Sequence, residues 1–192
     1  MIDCGNDLFG NPFMRRDAYF PEPGLRAQLS RIWDESSPIA CVIGCNPSDA
    51  GKDRDDPTSK WWNNWFYNSG FGGYRGVNIY PFITPSPKEC RRIAEWHKRD
   101  DWWARDAMMH NLTYLCEIAE QASKVFVCWG NIAWDQDYID HVLESLQTDA
   151  GDPELWCWGV NANGSPKHPL SRGKHRMNAL EPARLWSADA LS

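Results

Sequence analysis

At 192 residues, with 42% hydrophobic and 24% charged residues, the chain has the composition of one globular domain and is too short for two comfortable ones. Seven cysteines with no C-x-x-C pair argue against a disulfide framework and a zinc site, and a net charge of −6 argues against indiscriminate coating of nucleic acid. No run approaches membrane-spanning length and the N-terminus has no apolar signal core, so a cytoplasmic protein with buried, reduced thiols is expected.

In chain order, LRAQLSRIWDES (25–36) has helical apolar spacing through Leu25, Leu29, Ile32 and Trp33. IACVIG (39–44) is a short apolar run with branched residues and reads as a buried strand. GVNIYPF (76–82) is a second strand, ended by Pro81. The segment from Lys88 to about Gln121 opens after TPSP and reads as one or two helices. KVFVCWG (124–130) is a third strand, followed by a helix through Ile139, Val142, Leu143 and Leu146. LWCWGV (155–160) is a fourth strand. Nearly all-apolar strands alternating with helices predict a single α/β domain over 1–192: three layers, α/β/α, around a central, mostly parallel four-stranded sheet. Ligands of such sheets gather where loops leave the C-terminal strand ends. Here those loops are GCNPSDAG, NIYPFITPSP, WGNIAW and NANGSPKHPLSRG.

The last of these runs into GSPKHPLSRGKHR (164–176), four basic residues and two histidines with no acid. The acids concentrate just before it, in residues 135–154. A one-sided nucleic-acid contact needs such an asymmetry, and a pair of solvated surfaces also produces it. Twelve tryptophans serve mostly as core, although such rings also stack on flat ligands. In DRDDPT (53–58), Asp55 and Asp56 lack a third ligand at suitable spacing, so no metal is expected. Asp56 and Thr58 are candidates to cap the helix that follows.

Gly44-Cys45-Asn46-Pro47 and His168-Pro169-Leu170-Ser171, with VFVCWGNIA (125–133) between them, resemble the motifs of the uracil-DNA glycosylase superfamily. The Asn form of the first motif is most similar to the mismatch-specific branch. DRDDPTSKWW, the Val-Asn-Ile strand and the Pro-Lys-His-Pro-Leu loop together also resemble a bacterial and phage family of unknown function.

The resemblance implies a uracil-DNA glycosylase type of fold and hydrolysis of the N-glycosidic bond of a pyrimidine in DNA. That reaction develops positive charge on the sugar and negative charge on the base. His168 is then the donor to the departing base, and Asn46 orients the attacking water, more slowly than the aspartate of other branches. Gly44, Cys45, Pro47, Ser48, Asp56, Trp61, Trp62 and Asn78 are the implied base-pocket residues. Trp61 or Trp62 is the stacking ring, with Trp65 and Phe66 as further candidates. Asn78 is either a base-reading amide or a strand-end cap. Ser48 stands where strict uracil enzymes carry a tyrosine that excludes a 5-methyl group, which points to a modified pyrimidine whose substituents meet Asp56.

Lys167, Arg172, Lys174 and Arg176 are implied to neutralise phosphates, and Leu170, beside Ser171, to fill the vacated stack. DNA is the expected partner of a monomer that needs no cofactor, acting in defence against modified phage DNA. Ordinary uracil or mismatch repair, and a non-catalytic binder of modified DNA or nucleotides, are the alternatives.

Overall fold

Successive side chains of a strand point to opposite faces, so a run as apolar as 39–44 needs cover on both. The computed structural model, which describes residues 14–99, 101–173, 176–178 and 180–187, supplies that cover. Its strands are β1 (Arg15–Tyr19), β2 (Gln28–Ile32), β3 (Ile39–Gly44), β4 (Gly73–Asn78), β5 (Lys124–Val127), β6 (Leu155–Cys157) and β7 (Arg184–Leu185). Its α-helices are α1 (Pro57–Asn68), α2 (Pro87–Ala94), α3 (Trp102–Glu120) and α4 (Gln136–Asp149). The strands form one seven-stranded sheet in the order β1-β2-β4-β3-β5-β6-β7.

The four central strands, β4-β3-β5-β6, are parallel, and β1, β2 and β7 add to the flanks antiparallel. Cys41, Ile43, Val125 and Val127 face one core with residues of α2, α3 and α4. Ala40, Val42 and Phe126 face another with Trp62, Trp65 and Phe66 of α1. Helices therefore cover both faces of a mixed, largely parallel sheet.

The second and fourth expected strands are shifted or shortened, to Gly73–Asn78 from 76–82 and to Leu155–Cys157 from 155–160, and two larger expectations are corrected. The sheet has seven strands and not four, and residues 25–36 contain β2 and not a helix. The helical spacing of Leu25, Leu29, Ile32 and Trp33 misleads because burial is continuous: Arg26, Ala27, Ser30 and Arg31 are buried as well. Tertiary pairing with β1 and β4 overrides the local pattern. The predicted region 88–121 is two helices joined by a 3-10 segment at Glu95–Arg99.

Arg31, fully buried, holds the loop between β3 and α1 in place. Its Nε donates to Asp55 Oδ1 at 2.9 Å, and its Nη2 donates to the carbonyls of Gly51 at 2.7 Å and Arg54 at 3.3 Å. Asp55 is thus the counter-ion of a buried arginine. The next residue, Asp56, caps α1 by accepting from the Ser59 N–H at 2.7 Å, ahead of Pro57 in the first turn.

Among the described residues no helix is long and apolar enough to cross a membrane, and no three His, Cys, Asp or Glu side chains cluster as a metal site. Cys41, Cys45, Cys90, Cys116, Cys128 and Cys157 are free and buried.

Candidate functional site

Gly44 and Asn78 end two adjacent parallel strands and are register partners, at the carboxyl ends of the central strands, where ligands gather. Gly44 is small for a steric reason. A Cβ there would lie 2.8 Å from Asn78 Oδ1. Asn111 of α3 fixes the same strand end by donating from Nδ2 to the carbonyls of Asn78 at 2.9 Å and Ile79 at 3.2 Å. Asn78 itself is only 3% exposed, and its side-chain amide makes no hydrogen bond among the described residues.

Two residues past Gly44 the chain turns at Asn46-Pro47. The Asn46 Nδ2 donates to the carbonyls of Thr84 at 2.8 Å and Pro47 at 3.0 Å. Two carbonyl neighbours settle which end of the amide is which, because only the NH₂ can face them. The Asn46 Oδ1 is left as an acceptor directed elsewhere. The Ser48 hydroxyl donates to Asp56 Oδ2 at 2.5 Å, so both Asp56 oxygens are engaged.

The far side of the site comes from the loop after β6. Gly130, in the turn after β5, has φ +69°, and a Cβ there would lie 3.0 Å from the Cβ of His168. Its N–H donates to the Pro166 carbonyl at 2.9 Å, which seats one loop on the other. Within the His-Pro-Leu-Ser turn, His168 Nδ1 accepts the Leu170 N–H at 3.1 Å, and the His168 carbonyl accepts the Ser171 hydroxyl at 2.8 Å. An Nδ1 that accepts makes Nε2 the protonated nitrogen of the neutral ring. Burial lowers the His168 pKa to about 4, against an opposing pull from Asp56, so the ring is neutral at physiological pH.

Asn46 and His168 line one cavity of about 170 Å³, together with Gly44, Cys45, Ser48, Asp56, Trp62 and Asn78. The edge of Trp62 forms its floor, with ring carbons 3.7 Å and 3.2 Å from where side chains at Gly44 and Gly76 would begin. Sequence motifs separated by most of the chain therefore converge.

A larger cavity of about 350 Å³, between the β1–β2 side and α3, is lined by Tyr19, Leu25, Trp103 and Tyr114. It holds neither Asn46 nor His168.

The profile of a protein family described as of unknown function, DUF1643, matches residues 26–170, a span that contains every residue of the cavity. The chain belongs to the DUF1643 family. No curated protein matches the chain, and no solved structure does. The match places the cavity inside the DUF1643 region and leaves β7 outside it.

Some expected site residues of this DUF1643 member lie elsewhere. Trp61 does not line the cavity; it packs edge-on against Trp158 with ring centroids 4.9 Å apart. Consecutive helical residues point about 100° apart, so Trp61 and Trp62 cannot share a face. Pro47 acts behind the wall, through its carbonyl and by bonding the Thr84 N–H at 3.0 Å. Trp65 and Phe66 are core. Lys167 lays its stem on Gly159 and borders a separate cavity with Arg176 and Arg184, while Leu170 and Arg172 are exposed. Lys174 lies outside the described residues.

Sequence reasoning missed Arg26, Thr58 and Thr84. For Arg26 one signal was available, a charged residue directly between the apolar Leu25 and Ala27.

Proposed function

We propose that the chain is a DNA glycosylase, which takes a pyrimidine out of the stack and hydrolyses its N-glycosidic bond to leave an abasic site. The observation that carries this reading is the pairing, across one cavity, of a committed donor and a committed acceptor. His168 offers a neutral Nε2–H, and Asn46 offers Oδ1. The bond breaks with negative charge growing on the base oxygen and positive charge on the sugar. A preorganised donor at that oxygen lowers the barrier, by about 2.7–4 kcal/mol in comparable cases. A neutral imidazole fits this role because it need not give up its proton. The Oδ1 of Asn46 accepts from a water and aims it at the sugar carbon; an oxocarbenium-like centre asks for orientation more than for deprotonation.

The size of the cavity supports a single-ring ligand. Pockets for drug-sized ligands run about 300–1,000 Å³, and this one is about 170 Å³. Asn78 is the pocket amide in this reading, buried and without a partner among the described residues, ready to pair with a base edge. The parallel core and its site at the strand ends fit a uracil-DNA glycosylase-like layout. No ring stands at Ser48 to exclude a 5-substituent, which favours a modified pyrimidine over plain uracil. A role in defence against DNA carrying such bases follows from that preference.

A second reading is supported by the Asn46 amide. It carries no negative charge, so a binder of modified DNA or nucleotides would look much the same. One assay separates the two. Oligonucleotides bearing uracil, 5-hydroxymethyluracil, 5-hydroxymethylcytosine or its glucosylated form are incubated with the protein and scored for abasic sites. Base release that is lost in both Asn46→Ala and His168→Ala supports the glycosylase. Binding without release from any substrate makes the protein a binder.

A further inference from the structure

Two arginines near β2 are buried, and the protein partners them very differently. Arg31 has the carboxylate of Asp55 and the carbonyls of Ser30, Gly51 and Arg54. Arg26 is 3% exposed, and among the described residues its side chain donates one hydrogen bond, from Nη1 to the Ala50 carbonyl at 2.5 Å. Its Nε has no partner among the described residues. Burial lowers its pKa to about 10, so it is still a cation at neutral pH.

No carboxylate pairs with Arg26 among the described residues. Asp56 is the acid whose charge bears on it most, yet Asp56 spends one oxygen on the N-terminus of α1 and the other on Ser48. A desolvated guanidinium without a counter-ion is costly and binds planar anionic oxygens well when they are offered. Arg26 lines the same cavity as Asn46, Asn78 and His168.

We infer that this cavity selects a pyrimidine carrying a carboxylate, which pairs with Arg26 while Asn78 and His168 hold the ring. The inference rests on the reading that the cavity receives a base, and it names the class of base. Arg26 is a specificity residue and takes no part in the bond-breaking step. The same anionic chemistry is also found in a nucleotide phosphate, so the test carries an arm for each source.

The full-length protein is titrated calorimetrically with 5-carboxyuracil, uracil and deoxyuridine 5′-monophosphate. Charge-assisted hydrogen bonds predict that 5-carboxyuracil binds about ten- to a hundredfold more tightly than uracil. Arg26→Gln erases that margin, and Arg26→Lys keeps part of it. If Arg26→Gln fails to fold by circular dichroism, the margin in the unaltered protein decides alone. Equal affinity for the two bases overturns the inference, as does no binding of any probe, or tight binding of the monophosphate alone.

Abasic-site scoring on oligonucleotides with uracil or 5-carboxyuracil then separates this claim from the glycosylase reading. A binding margin without base release upholds Arg26 and rejects the enzyme. Uracil release without a margin does the opposite.

Discussion

His168 and Leu170 are locked together two residues apart, the Leu170 backbone N–H donating to the imidazole Nδ1 at 3.1 Å. That bond chooses the tautomer of the ring, and burial, which lowers its pKa to about 4, chooses its charge. A donor role for neutral His168 therefore predicts base release that is unaffected by this residue from pH 8 down to about 5. Below about 4 the imidazole protonates, its hold on the Leu170 N–H is lost, and the rate falls. A pH–rate profile with a loss centred near 6.5 contradicts the assignment.

The same shift has a consequence for stability, with a definite sign. The folded-state pKa lies below the reference value for histidine, so between about pH 6.5 and 4 the unfolded chain binds the proton more strongly. The His168 contribution is intact above pH 6.5 and is withdrawn as pH falls through that window. Thermal melts from pH 7 to 4 should show a steeper decline for the native protein than for His168→Gln. Parallel curves refute the linkage.

Asn46→Asp tests whether the weaker residue is there by geometric necessity. A carboxylate at this place turns an oxygen toward the carbonyls of Pro47 and Thr84, which now receive Nδ2 at 3.0 and 2.8 Å. Lost hydrogen bonds of this kind cost about 1–3 kcal/mol. The variant should melt earlier and release base more slowly than the native protein, despite carrying a stronger base. A faster enzyme with unchanged stability would show that the amide is not needed for the turn.

Gly130→Ala places a methyl group 3.0 Å from the His168 Cβ at a residue with φ +69°. The left-handed conformation alone costs roughly 1–2 kcal/mol for a residue with a Cβ. The larger effect falls on function, because the His168 turn must move away from the cavity. Base release should drop further than the change in melting temperature accounts for. Gly151→Ala, at φ +73° with nothing near its Cβ, is the control: it carries backbone strain and leaves release unaltered in the folded fraction.

Asp55→Asn leaves the fully buried Arg31 without its carboxylate. Burial alone would raise the Asp55 pKa, but hydrogen bonds and charge from Arg31 and Arg16 hold it below the usual carboxylate range. Breaking a buried pair costs about 3–5 kcal/mol. The variant should unfold at markedly lower urea, and the native protein should lose the same contribution as pH falls below the ordinary aspartate pKa. An unchanged urea midpoint would remove the pair from the account of the loop.

Leu170 is exposed at the tip of the His168 loop, at 42% of its full surface. As a wedge it has work to do in duplex DNA and none in a single strand. Leu170→Ala should slow release from duplex substrates while sparing single-stranded ones. Equal effects on both leave the leucine as a surface residue.

The motifs at Asn46 and His168 were legible because their geometry is local. Gly44 and Pro47 shape a strand-end turn, and His168-Pro169-Leu170-Ser171 closes on itself through bonds spanning two or three residues. The apolar runs at 39–44 and 124–130, the latter a strand only as far as Val127, were legible for a similar reason: a strand apolar on both faces has few alternatives to the middle of a sheet. The cap at Asp56, next to Pro57, belongs with them.

The rest depended on distant pairing. The spacing in 25–36 favours a helix, and only the two neighbours that β2 acquires make it a strand. Arg26 lies just ahead of β2 and lines the cavity. Trp61 and Trp62 are chemically identical, and the phase of α1 against the sheet chose between them. By itself the sequence determined the strand-end turns, the Asp56 cap and the approximate places of the central strands, since these follow from bonds and burial a few residues wide. The tertiary structure decided which side chains share the cavity, since convergence depends on the order in which strands assemble, and strand order is set by contacts across the whole chain.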